Sequence, residues 1–207
     1  MKLHLSSVSN GNIKNIKDYI KSAFFNAYSA KISIHAQYLI SLKESGSYIA
    51  ALGLTSALDH PLFLEQYLDC DIESALSNKI RAQVGREGIV EVSSFTATKP
   101  VASYLLFNIM AHTLYLAGVE WVVFTATPEV LRIISSLGFT YTTLSSAHSS
   151  CIKKDQGEDW GSYYDKDPSV VACFLPGNIA HQPTMPSRFN ITRYEKDMKL
   201  AADKMQA

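Results

Sequence analysis

Between Gly88 and Tyr141 the spacing of apolar positions changes repeatedly, and each change marks an element. Ile89, Val90 and Val92 surround one charge, Glu91, and this β-branched run predicts a strand over 89–92 that is buried on at least one face. Thr96, Thr98, Lys99 and Pro100 then break the strand, with Pro100 where proline is best tolerated, in the first turn of a helix over 101–117. Along that helix Val101, Leu105, Ile109 and Leu116, with Tyr104 and Leu106 beside them, form a broad apolar stripe, so one face is buried. Gly118 closes the helix, and the uncharged run Trp121, Val122, Val123, Phe124 predicts a second strand. A helix between two buried strands is most simply a right-handed crossover. It makes the strands parallel neighbours and sets the helix N-terminus at the carboxyl end of the first, where ligands of α/β sheets collect. Thr127-Pro128 opens a further helix through Arg132 and Ile134, ended by Gly138, before a short strand over 139–142.

The flanking pattern extends this unit. Residues 1–12 read as loose and polar, whereas Ile16, Ile20, Phe24, Phe25 and Tyr28 recur at helical steps within 13–30. The runs 36–42 and 48–54, separated by KESGS, predict an antiparallel hairpin turned at Gly46. Leu62, Phe63, Leu64 and Tyr67 make a bulky cluster before a helix through Leu76 that Asp69 or Asp71 can cap. The stretch LSSAHSSCIKKDQGEDW after Tyr141 has no sustained period and reads as a loop. A last strand over 170–175 is ended by Pro176-Gly177, and a proline-interrupted segment leads to a terminal helix with Tyr194, Met198, Ala201 and Met205 on one stripe. This predicts a main domain over 1–177 and an extension over 178–207. The terminal helix can dock, fray or swap into a neighbour, which leaves a homodimer open.

A chain of 207 residues can bury about 70% of its unfolded surface in one core. Nineteen basic and nineteen acidic residues give no net charge, which argues against a nucleic-acid partner. No apolar run approaches the length of about 18 residues that a membrane helix needs, and MKLHLSSVSNGN lacks a secretory core, so the expectation is a cytoplasmic protein away from membranes. Cys70, Cys151 and Cys173 have no metal-ligand spacing, so thiols rather than disulfides or a metal site are expected.

The order of helix, antiparallel hairpin, helix, strand, crossover helix, strand, helix and strand resembles the GNAT acyltransferase fold: an α/β (α+β) mixed central sheet with flanking helices. More narrowly, LFLEQYLDCDIE with its preceding leucine, IVEV at 89–92, GVEWVVFTATPEVLRIISSLGF at 118–139 and WGSYY at 160–164 resemble the thermostable hemolysin family, a GNAT-like group. Its glutamate-bearing strand is similar to that of acyl-homoserine-lactone synthases and long-chain N-acyl amino acid synthases. The resemblance implies transfer of an acyl group to a small-molecule amine from acyl-CoA or from the phosphopantetheine arm of an acyl-carrier protein, without a metal. It also implies donor-binding residues at the helix N-terminus: Thr96, Thr98, Lys99, Val101 and Ala102. Two departures stand out. The loop ATKPVAS has no glycine where GNAT enzymes cradle a pyrophosphate on backbone N–H groups, so Lys99 is left to meet a phosphate as a point charge. Ser93 and Ser94 also follow the strand where a glycine and an asparagine are expected.

Glu91 is the foremost catalytic candidate, because a carboxyl within an apolar strand must be partnered or have a raised pKa, and a general base for an ammonium nucleophile requires the latter. The competing reading is an ion pair with Arg81 or Arg86. Ser93 shares its face of the strand. Tyr163 and Tyr164 can protonate a departing thiolate, or serve as core aromatics. Trp160 offers a flat wall, and it joins Tyr67, Asp69, Glu73, Phe95 and Thr125 as the substrate-binding set. Glu65, Asp69, Asp71 and Glu73 form an acidic cluster that suits either a helix cap or a cationic amine. Cys70 lacks a neighbouring histidine base, and His112 reads as a core or surface residue. Two other functions compete: a membrane-active toxin, and a GNAT-fold binding module that has lost catalysis.

Overall fold

The computed structural model describes residues 1–7, 13–58, 60–152, 158–184 and 189–206. In chain order the elements are β1 (Lys2–Ser7), α1 (Lys14–Tyr28), β2 (Tyr38–Glu44), β3 (Ser47–Ser56), α2 (Ile72–Ile80), β4 (Ile89–Ala97), α3 (Pro100–Leu116), β5 (Trp121–Ala126), α4 (Pro128–Ser136), β6 (Thr142–Ser146), β7 (Ser169–Phe174), α5 (Leu175–Ala180) and α6 (Glu195–Gln206). The strands form one seven-stranded sheet in the order β1-β2-β3-β4-β5-β7-β6. Its one parallel pair is the expected crossover, with Ile89, Val90, Glu91 and Val92 in register with Trp121, Val122, Val123 and Phe124. The hairpin turns through Ser45 and Gly46, both at positive φ (50° and 87°), the signature of a tight two-residue connection whose twist matches its strands.

Alternation along β4 divides the core. Val90 and Val92 pack with Leu105, Leu106 and Ile109 of α3, while Ile89 and Glu91 point to the opposite face. That second face carries two separate clusters, one under α1 (Ile16, Ile20, Phe24) and one under Leu62–Leu76. Glu91 emerges where they meet.

Two sequence expectations are corrected and two are refined. Residues 2–7 are not loose: Leu3 and Leu5 alternate as in a strand, and β1 pairs antiparallel with β2. The late strand runs over 142–146 rather than 139–142, because Gly138 and the buried Phe139 complete the exit from α4, so β6 occupies the start of the stretch read as a loop. The last strand does end ahead of Pro176, at Phe174, and Pro176 then occupies the first turn of α5, whose Asn178 side chain bonds the backbone of Thr140 and Phe174. The helix after Leu62 likewise continues past Leu76 to Ile80, with Asp71 at its N-cap position but no side-chain bond from it. The terminal helix docks on α3 and β1 through Met198, Ala201 and Ala202, and Gln206 Nε2 donates to the Ala117 carbonyl at 3.0 Å. No helix among the described residues is long and apolar enough to cross a membrane.

Candidate active site

The site is built where β4 leaves β5. Their pairing stops at Val92 and Phe124. Beyond that point β4 stays with β3 through a bulge, in which Leu52 faces two residues, Ser94 and Phe95, while Thr125 and Ala126 of β5 stay with β7. The bulge turns on Ser94 at φ 54°, a conformation in which glycine or asparagine sits more easily. The serine at this position is therefore a strained but tolerated departure. Gly53 lets β4 come close: a Cβ there would stand 2.6 Å from Ala36 Cβ and 2.8 Å from Ser93 Oγ.

Glu91 is 4% exposed. Its Oε2 accepts the Phe63 N–H at 2.9 Å and its Oε1 the Leu64 N–H at 3.2 Å. These are first-turn donors of the 3₁₀ turn Phe63–Tyr67, which have no partner within their own turn. Burial pushes the carboxyl up to about 8; the two N–H donors pull the other way, and the neighbouring Glu65 charge adds to the rise. The ion-pair reading is overturned. Arg86 bonds Glu65 (2.7 Å), Glu73 (2.5 Å) and the Ala57 carbonyl, and Arg81 is exposed at the end of α2.

Glu91 and Ser93 open onto a cavity of about 90 Å³ inside the splay, with Phe95, Thr125, Tyr67, Trp160 and Tyr163 also in its wall. The structure thus brings together seven of the expected site residues from four stretches of chain. Its apolar floor comes from Phe24 and Tyr28 of α1, Phe107 of α3 and Phe124 of β5. These were missed because the periodicity that reveals a buried face does not say which buried residue borders a void. The WGSYY segment seats on the end of α1: Ser162 N–H donates to the Tyr28 carbonyl at 2.9 Å, and a Cβ on Gly161 (φ 50°) would lie 2.0 Å from that same oxygen. Trp160 then packs against Phe63, Tyr163 and Tyr164 at ring separations of 5.6, 5.4 and 6.0 Å.

The tyrosines divide their tasks. Tyr163 donates to the Thr125 carbonyl at 3.3 Å, while Tyr164 lies behind the wall with its hydroxyl 2.5 Å from that of Tyr67, which does reach the cavity. Burial holds all three phenols protonated, with Tyr164 pushed up to about 12. Two buried polar atoms in this wall, Trp160 Nε1 and Thr125 Oγ1, have no partner among the described residues. An unmet buried donor costs about 1–3 kcal/mol.

The other expected residues lie outside this cavity. Thr98 spends its N–H and hydroxyl on the Ile49 carbonyl (2.9 and 3.2 Å), Ala102 is buried with its N–H on the Lys99 carbonyl (3.0 Å), and the Lys99 ammonium pairs with Glu44. Thr96 is paired opposite Ala51, and Val101 is exposed. Glu73, with Glu65, is committed to Arg86, and Asp69 lies on that outer surface with the exposed Cys70 rather than on the cavity. His112 is half-buried on α3 with its Nδ1 2.9 Å from the Asn108 carbonyl.

The family model described as Thermostable hemolysin matches residues 7–178. No curated protein matches the sequence. Among solved structures, the chain is similar to FeeM, an N-acyl amino acid synthase from uncultured soil microbes, at 11% identity and TM-score 0.60, covering 88% of this chain and 100% of that one. It is similar to the AHL synthase LasI at 10% identity and TM-score 0.59, covering 90% and 98%. The CoA-dependent acyl-homoserine lactone synthase BjaI, solved with SAM and isopentyl-CoA, gives 10%, 0.58, and 98% of both chains. At such identities the likeness is one of fold, and that fold is GNAT-like.

Proposed function

The chain belongs to the thermostable hemolysin family, and from that premise we propose that it is an N-acyltransferase moving an acyl group from a phosphopantetheine thioester to an amine. The observation that carries the reading is Glu91: a carboxyl buried at the mouth of the splay, raised toward neutrality and aimed at a cavity whose wall holds unpaired polar atoms. The acyl chain lies among Phe24, Phe107 and Phe124. The amine nitrogen attacks the thioester carbonyl carbon, forming the C–N bond as the C–S bond breaks. Glu91 takes the proton that the nitrogen loses, and Ser93 orients the nitrogen beside it. Trp160 N–H and the backbone of the bulge face the carbonyl oxygen as it gains charge. The departing sulfur takes its proton from Tyr67, which Tyr164 re-supplies, and Tyr163 holds Thr125 in place.

For the donor arm, the α3 N-terminus fits a single phosphate better than a pyrophosphate. Pro100 has no N–H, and Thr98 and Ala102 have spent theirs, leaving the Val101 N–H and a Lys99 ammonium whose exposed pair with Glu44 exchanges easily. This favours a cytoplasmic acyl-carrier protein over free coenzyme A, with Thr96 flanking the arm. The test is mass spectrometry of amide products from purified protein given acyl-carrier protein or acyl-CoA thioesters and a set of amines. Amide formation should fall roughly 100-fold or more in Glu91→Gln while the fold is retained. Undiminished transfer by a folded Glu91→Gln protein would remove Glu91 from the mechanism.

A further inference from the structure

Glu91 stands between two cavities that differ in their lining side chains. On one side is the narrow, ring-lined space already described. On the other is a wider cavity of about 350 Å³ that shares Phe63, Glu91, Ser93, Ser94 and Trp160 with the first. Past these common residues it is lined by the polar side chains of Ser33, His35, Gln37, Thr55, His60 and Glu158 together with Pro61, while most of the surface it exposes stays apolar. A thioester lying in the apolar space would present its carbonyl at this junction, so a nucleophile within reach of Glu91 has to arrive through the polar one.

The charge of that polar cavity is one-sided. The Glu158 side chain is 8% exposed; it accepts the Ser33 N–H at 3.0 Å and stands 3.5 Å from His35 Nε2. Among the described residues that line the cavity there is no lysine or arginine. Arg86 approaches the His60–Pro61 segment from behind, donating to the His60 carbonyl at 3.2 Å, and its charge is already met by Glu65 and Glu73. Among the described residues, a carboxylate brought in with the acceptor would find the Glu158 carboxylate near it and no lysine or arginine, whereas an ammonium would find Glu158 as its counter-charge.

We infer that the polar cavity is the acceptor site and that it takes a cationic amine carrying no carboxylate, such as a diamine with its far ammonium against Glu158 and its near nitrogen at Glu91. This rests on the N-acyltransferase reading and narrows its substrate class. Among the described residues, it is the charge at Glu158 rather than size that disfavours a free α-amino acid.

Two acceptors that differ only in the group at issue test it: 1,4-diaminobutane, and ornithine, the same diamine bearing an α-carboxylate. Given both at equal concentration with an acyl-carrier thioester, the protein should make the diaminobutane amide at least tenfold faster. Glu158→Gln should cut kcat/KM for diaminobutane about tenfold and weaken its binding to donor-free protein, measured by calorimetry. The competition is repeated with Lys153 and Lys154, which lie outside the described residues, changed to Ala. Equal or preferred use of ornithine by either form overturns the inference while leaving acyl transfer intact. If no amide forms from any acceptor, yet diaminobutane binds and Glu158→Gln abolishes that binding, the acceptor site stands and the N-acyltransferase reading falls. Absence of both sinks both.

Discussion

Glu91 shows how one residue couples stability to chemistry. Its carboxyl titrates near 4.5 in an unfolded chain and at about 8 in the fold, so between those values the folded state holds a proton that the unfolded state has released. Glu91's contribution to stability therefore falls as pH rises through that window, by an order of 3–5 kcal/mol at about 1.4 kcal/mol per unit, and is constant outside it. Urea unfolding of wild type and Glu91→Gln at pH 5 and pH 8.5 should show the variant gaining on wild type by that order. An unchanged difference would mean that the carboxylate is as well solvated inside as out. Because Arg86 is held by Glu65 and Glu73, the substitution strands no arginine. What the sequence disclosed here was the anomaly, a charge in an apolar strand. It could not disclose the partner, since backbone donors at Phe63 and Leu64 leave no mark in residue identity.

Among elements, the crossover was legible because β-branched runs flank an apolar helix, and parallel adjacency followed from connectivity; the expected stripe did not hold at Val101 and Leu116, which are exposed because the helix buries its middle nearly all round. The edge strands were not legible: KLHLSS and TTLSS are short and polar enough that pairing, rather than propensity, makes them strands. The bulge at Ser94 was hidden too, because serine does not advertise a positive φ. Gly161 did matter, and for a reason visible only in three dimensions: the WGSYY wall needs its backbone against the Tyr28 carbonyl. Gly161→Ala should force that segment off α1, displacing Trp160, Tyr163 and Tyr164 together. We expect a loss of about 2–4 kcal/mol from strain and lost aromatic packing, and a loss of acyl transfer larger than the unfolded fraction explains. Thermal unfolding and intrinsic tryptophan fluorescence measure the first, and single-turnover rates the second. Full activity in a normally folded Gly161→Ala protein would dissociate this wall from the site.

At the scale of the molecule, the sheet separates α3, α4, α5 and α6 from α1 and α2, and the splay is where the two sides communicate. Composition could argue against a nucleic-acid partner and resemblance could suggest the layers. The seam between the α1 and Leu62–Leu76 clusters had to be seen, because it depends on two packing units failing to meet. Two cavities meeting at one carboxyl have a consequence for kinetic order. Neither partner needs to vacate the site for the other, and the exposed Cys70 lies outside both as a resting place for an acyl group. Both reactants should be bound before any bond changes. Initial-rate plots against donor at several acceptor concentrations should then intersect, and no burst of free thiol should precede the amide. Parallel lines would instead demand an acylated protein and a nucleophile elsewhere in the chain.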